Sequence, residues 1–205
     1  MSPRRSVAEA RQTRAGIVRH GVDVASVEGL EGLTIGRLAT DLGMSKSGVL
    51  GHFGDKETLQ LAVVELATDE FWRDVWEPVA ATPAGLPRLR AVAGSWLRYL
   101  TSDRLPGGCF FMAAGPEFDD RPGPVRDALA GAADRWTREL LHQARLAAID
   151  DPDQVVFELT GVMLALHAAH RLRRDPAAAT RAARAVTRLL GDPGGPDASG
   201  DSAGP

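Results

Sequence analysis

Lysine is nearly missing from this chain. Lys46 and Lys56 are the only two, although lysine and arginine together number 24 in 205 residues. Cysteine occurs once, at Cys109, so no internal disulfide and no thiolate zinc cage can be built. There is one tyrosine, isoleucines are few, and no stretch alternates polar and apolar side chains with period two, which excludes a β architecture. No uninterrupted apolar run approaches the ~20 residues of a membrane span. The opening MSPRRSVAEARQTR has no apolar core behind its arginines and is no secretory signal. These absences predict a cytoplasmic protein with no membrane partner. A net charge of -3 excludes a globally basic nucleic-acid binder but not a locally basic one.

What remains is helical signal, and the predicted fold class is all-α. Residues 1–6 read as a loose basic arm. From Val7 to Ser26, Ile17, Gly21, Val22 and Ala25 recur at helical spacing, and Gly29 and Gly32 end that helix. Thr34 caps a short helix carrying Ile35, Leu38, Ala39 and Leu42, and Gly43 stops it. Ser45 caps another, to about Leu50. Asp55 caps a long one, to about Val79, whose early apolar residues (Leu59, Ala62, Val63, Leu66) and later ones (Phe71, Trp72, Val75, Trp76) drift around the axis. Further helices are predicted over 88–102, 125–149, 153–173 and 177–190, with a short apolar element at CFFMAA and Pro124 suited to a first helical position. The Gly- and Pro-rich end, 191–205, is predicted to be disordered.

Thr34 to Gly51 is a helix-turn-helix pattern. Gly43 accepts positive φ in the turn and Ser45 opens the second helix. A helix entering a major groove presents its first turn to base edges. Here that turn is Ser45-Lys46-Ser47-Gly48, small and polar with one cation, able to approach closely. Both lysines fall in this region, where a compact charge on a flexible stem suits a phosphate. Lys56 stands in the first turn of a helix, unfavourable for the helix dipole unless an anion docks beside it.

Residues Ile17 to Leu66 resemble the TetR family of bacterial transcriptional regulators. Ile17, Ala25, Gly29, LTIGRLATDLGMSKSGV and above all His52-Phe53-Gly54-Asp55-Lys56-Glu57-Thr58-Leu59 carry the resemblance, which continues more weakly through Pro106 to Leu129. It implies a helix-turn-helix DNA-binding domain at 1–55, a helical ligand-binding and dimerisation domain at 56–190, and no cofactor or enzymatic activity. Thr34, Arg37, Ser45, Lys46, Ser47, Gly48, His52 and Lys56 would contact a double-stranded DNA operator, with Phe53 packed inside. The family usually has a tyrosine just before its His-Phe pair, where this chain has Leu50-Gly51; that phosphate contact is missing.

The resemblance also implies a homodimer and a small-molecule effector. Trp96, Phe110, Phe111, Met112, Phe118, Trp136, Phe157, Met163 and His167 are candidate pocket residues, though aromatics at helical spacing commonly just pack. His167 and His170, three apart, are too few for a metal site on their own. The helix over 153–173 is apolar almost all round, as for a helix covered on more than one side; with 177–190 it would form a four-helix dimer interface. Two other readings stand beside this one: a helical enzyme or carrier with an incidental helix-turn-helix, and a regulator tuned by a partner protein or by Cys109 oxidation.

Overall fold

The computed structural model describes residues 3–191, with side chains from Val7 onward, so residues 192–205 of the tail predicted at 191–205 and the side chains of Arg4 and Arg5 lie outside the described residues. Among the described residues there are nine α-helices and no strand: α1 Pro3–Gly32, α2 Ile35–Asp41, α3 Lys46–Phe53, α4 Lys56–Phe71, α5 Leu86–Thr101, α6 Phe110–Phe118, α7 Pro124–Leu146, α8 Pro152–His167 and α9 Ala178–Leu190. Residues 3–6, expected as a loose arm, already belong to α1.

Local chemistry sets the short elements. The Thr34 hydroxyl accepts from Arg37 N at 3.1 Å and that of Ser45 from Gly48 N at 3.0 Å, each satisfying an otherwise orphaned helix-start amide. Between them Gly43 takes φ +62°, and Gly43 N and Met44 N donate back to Thr40 O and Ala39 O, closing α2 in a Schellman turn. Asp55 opens α4 by accepting from Thr58 N at 2.7 Å, a bond that holds its carboxyl below the usual range.

Two predicted long helices lose α geometry before their predicted ends. After Phe71 the chain makes a π-helical turn, Trp72–Trp76, and a 3-10 turn, Glu77–Val79. After His167 it makes a second π turn, Ala168–Leu172. Such turns widen the helix where tertiary contacts demand it and gather near functional sites. α7 stops at Leu146, short of the predicted Ile149. Ala148 sits at φ +53° and the turn closes through Ala148 N to Arg145 O and Ile149 N to Ala144 O, a glycine-type ending without glycine.

Two hydrophobic clusters divide the interior. The first joins α1 to α4 (Ile17, Val22, Leu38, Val49, Leu59, Val63) with Leu105, Phe110, Ala114 and Phe118 and the start of α7. The second gathers Phe71 and Val75 with α5, the later turns of α7, α8 and α9. α4 therefore feeds both, as the drift of its apolar residues predicted. α1 and α6 meet closely. Gly107 N donates to Ser26 Oγ at 3.0 Å, and a Cβ on Gly107 would lie 1.7 Å from the Ser26 carbonyl oxygen. Gly29, at φ +74°, kinks the end of α1 over the Glu117 carboxylate, which accepts from Glu31 N at 3.2 Å. Glu70 of α4, 8% exposed, pairs with Arg19 of α1 and, at 3.5 Å, with Arg104.

Counted over a helix instead of an unbroken run, Pro152–Leu172 is long and apolar enough to cross a membrane by length and composition alone. Val156, Leu159, Met163 and Leu166 pack into the second cluster, while Phe157, Leu164 and Leu172 face outward.

Candidate functional site

The exposed edge of the N-terminal helices is built around α3. Ser45, Lys46 and Ser47 are exposed in its first turn and Gly48 is half-buried, while Val49 and Phe53 turn inward. The Lys46 stem lies across Gly36 of α2: a Cβ there would stand 3.3 Å from its Cε. Arg14 lies over the Phe53 ring at 5.0 Å. His52 is half-buried at the end of α3. The structure thus brings Thr34, Ser45, Lys46, Ser47 and Gly48 to one edge.

Two of the candidate DNA-contacting cations already have acidic partners. Arg37 Nε donates to Asp41 at 2.8 Å and its Nη2 lies 3.1 Å from Glu28. Arg37, and after it His20, hold the Asp41 carboxyl below the ordinary range. Lys56 donates to the Glu31 carbonyl at 3.1 Å and to its carboxylate at 3.3 Å, and Arg121 approaches the same carboxylate at 3.3 Å.

A second candidate site is a cavity of about 160 Å³ between the helices of the larger half. The end of α4 contributes Thr68, Phe71 and Trp72, and α5 contributes Trp96. Cys109, Phe111 and Met112 close it at the start of α6, and Ala132, Ala133, Trp136 and Thr137 line it from α7, with Thr160 from α8. Phe71 meets Trp96, Phe111 and Trp136 edge-on. None of the lining residues, all within the described part, carries a charge. Burial pushes the Cys109 thiol up, away from the thiolate a redox sensor needs.

Residues 85–186 match the family described as tetracyclin repressor-like, C-terminal domain. The chain belongs to the TetR family of transcriptional regulators. Solved structures of such regulators share its fold. One from Chloroflexus aurantiacus is 21% identical, covering 89% of this chain and 94% of that one at a TM-score of 0.78. One from Streptomyces coelicolor is 23% identical, covering 89% and 95% at 0.76. AibR, solved with isovaleryl coenzyme A and operator DNA, is 20% identical, covering 85% and 98% at 0.68. A search of curated proteins gives no match.

Within this TetR regulator, four candidate ligand residues line the cavity: Trp96, Phe111, Met112 and Trp136. Five lie outside it. Phe118, with Phe110, packs into the first cluster against α1. Phe157 is 75% exposed on the outer face of α8. Met163 is fully buried in the second cluster. His167 faces Gly108, where a Cβ would stand 3.4 Å from its Nε2. Thr68, Phe71 and Trp72 also line the cavity, and the sequence reading gives none of them a pocket role. The small residues Ala132 and Ala133 beside Trp136 were the available signal, since they leave room on that face of α7. Among the described residues no group of three or more His, Cys, Asp or Glu is placed to hold a metal.

Proposed function

We propose that this regulator is a cytoplasmic repressor that binds a palindromic operator as a homodimer and is released by a small molecule in the cavity. The observation that carries the reading is the position of that cavity. Its walls include the end of α4 and the start of α6, the two elements that also pack against α1 in the first cluster. A molecule preferring one arrangement of these helices changes the spacing of two recognition helices, and bound DNA weakens its binding by the same factor.

Thr34, Arg37, Ser45, Lys46, Ser47, Gly48, His52 and Lys56 are the proposed DNA contacts, and Trp96, Phe111, Met112 and Trp136 belong to the proposed effector site. The division into a DNA-binding part at 1–55 and a ligand-binding and dimerisation part at 56–190 belongs to the same proposal. Dimerisation uses the outer stripe of α8 and the π turn that follows it, where Phe157, Leu164 and Leu172 are 75%, 52% and 84% exposed. That apolar stripe, which composition alone would suit to lipid, is covered by a second copy. Two recognition helices then reach half-sites centred about 34 Å apart, or a small multiple of it.

The experiment is selection of random duplex DNA on the purified protein. An inverted repeat is the expected product. Folded protein that enriches no sequence at low salt would sink the proposal.

A further inference from the structure

Two side chains of the cavity wall, Trp96 and Trp136, carry hydrogen-bond donors that the protein leaves unused. Trp96 and Trp136 are 5% and 7% exposed, and neither indole Nε1–H meets an acceptor among the described residues. Their rings stand 5.2 Å apart at 85°, and Phe71 meets both edge-on at 6.2 and 4.9 Å. A ring face is a poor acceptor beside a carbonyl oxygen. Roughly nine in ten buried polar groups in folded proteins find a partner, so two orphans on one cavity need a cause.

The rest of the lining narrows what would satisfy them. Thr68 and Thr160 already donate their hydroxyl protons to Val64 O and Val156 O, at 2.7 and 2.8 Å. The Cys109 thiol is engaged with Tyr99. The Thr137 hydroxyl, which can donate or accept, also lines the cavity, so the unpartnered groups that can only donate are the two indoles. No lining residue is charged, so an ionised guest would be desolvated without a counter-charge. A quaternary ammonium suits aromatic walls but would leave both N–H groups unmet. The volume, about 160 Å³, is close to that of a cavity that takes up benzene, roughly 150 Å³.

We propose that the effector is an uncharged, single-ring aromatic molecule bearing a carbonyl-type oxygen, which accepts from the indole N–H groups of Trp96 and Trp136. This deepens the effector reading above and rests on it. The ring occupies the space walled by Phe71, Phe111 and Trp72, and the oxygen, with two lone pairs, answers two donors that the fold leaves unpartnered.

The test uses full-length protein labelled with nitrogen-15, whose four tryptophans give separate indole N–H signals. Acetophenone is titrated against ethylbenzene, which has nearly the same shape and no acceptor, and against benzoate and phenyltrimethylammonium. Acetophenone is expected to move the Trp96 and Trp136 indole protons downfield and to bind about tenfold more tightly than ethylbenzene. Benzoate and the ammonium ion should bind more weakly than either. Trp96→Phe and Trp136→Phe, which keep a ring and remove the donor, should each erode the preference; the wild-type titration stands alone if a variant fails to fold. Equal binding of acetophenone and ethylbenzene, or tighter binding of a charged probe, overturns the assignment while leaving a cavity that takes small molecules. Binding as expected with no change in DNA affinity supports the chemistry and removes the effector reading. If none of the four probes binds, both fall.

Discussion

The ammonium of Lys56 lies 3.3 Å from the Glu31 carboxylate and 3.1 Å from its backbone carbonyl, so the cation proposed to meet a phosphate is held by an acid of the same chain. Glu31 is in turn shared with Arg121, beyond α6. Both partners of Lys56 and Glu31 are partly exposed, so the pair itself is weak. Its removal changes what DNA meets. Glu31→Gln should strengthen binding at all sequences by a few fold, read in titrations of specific and random duplexes. Lys56→Ala should weaken binding at all sequences and reduce the slope of log affinity against log salt by about one unit. An unchanged slope in Lys56→Ala would place the phosphate face elsewhere.

The recognition helix is held by one side chain and loosened by another position. Ser45→Ala removes the acceptor for Gly48 N and should cost about 1 kcal/mol of folding stability. Gly51 lies inside α3, and a Cβ there would meet nothing within 4 Å. Gly51→Ala should therefore stabilise the protein by up to about 1 kcal/mol. Urea midpoints of the two variants should move in opposite directions.

Gly107 is a steric requirement of the contact between α1 and the segment before α6. A methyl group there would be driven into the Ser26 carbonyl, 1.7 Å away, and backbone must shift to admit it. Gly107→Ala should lower the thermal midpoint more than any other change named here. Retention of the wild-type midpoint would mean that α1 and this segment are not held together in solution.

His167 gives stability a dependence on pH. Burial, and after it Arg171 and His170, push its pKa below the ordinary histidine value of about 6.5. Its Nε2 is buried without a partner among the described residues. Because the unfolded chain takes up the proton first, stability is full above pH ~6.5 and falls as pH drops from there toward the lowered folded value. His167→Gln should flatten that part of the profile, measured as urea midpoints between pH 5 and 8. An identical slope in the variant would assign it to another group.

Cys109 is fully buried and its thiol is pushed up by burial. Iodoacetamide should leave it unmodified in native protein and label it readily in urea, as mass spectrometry would show. Fast labelling of the native state would revive regulation through this thiol.

The elements were legible where the signal was local. Thr34, Ser45 and Asp55 each bond an amide three residues on, a relation written in neighbouring residues. Gly43 closes its turn for the same reason. The cavity was only half legible because its wall is assembled from five helices. Trp96 and Trp136 announced themselves as large aromatics, but Phe157 has the same character and faces outward, and in a helix apolar all round periodicity cannot tell the inner side from the outer. Phe118 was misplaced because α6 has two apolar faces, one toward the cavity and one toward α1. Gly107 reads as a turn residue in sequence; only the approach of Ser26 gives its purpose. Ala148 carries no sign that it ends α7.

The first cluster contains Phe110, Ala114 and Phe118 as full members beside Val22 and Leu30. The reading head is therefore not a portable cassette. A chimera joined near residue 55 would inherit a hollow lined by Ile17 and Leu30 and filled by foreign side chains of the wrong shape. Exchanges of operator preference between such proteins should succeed only when the α6 face travels with the head, because α6 is packed from both ends of the molecule.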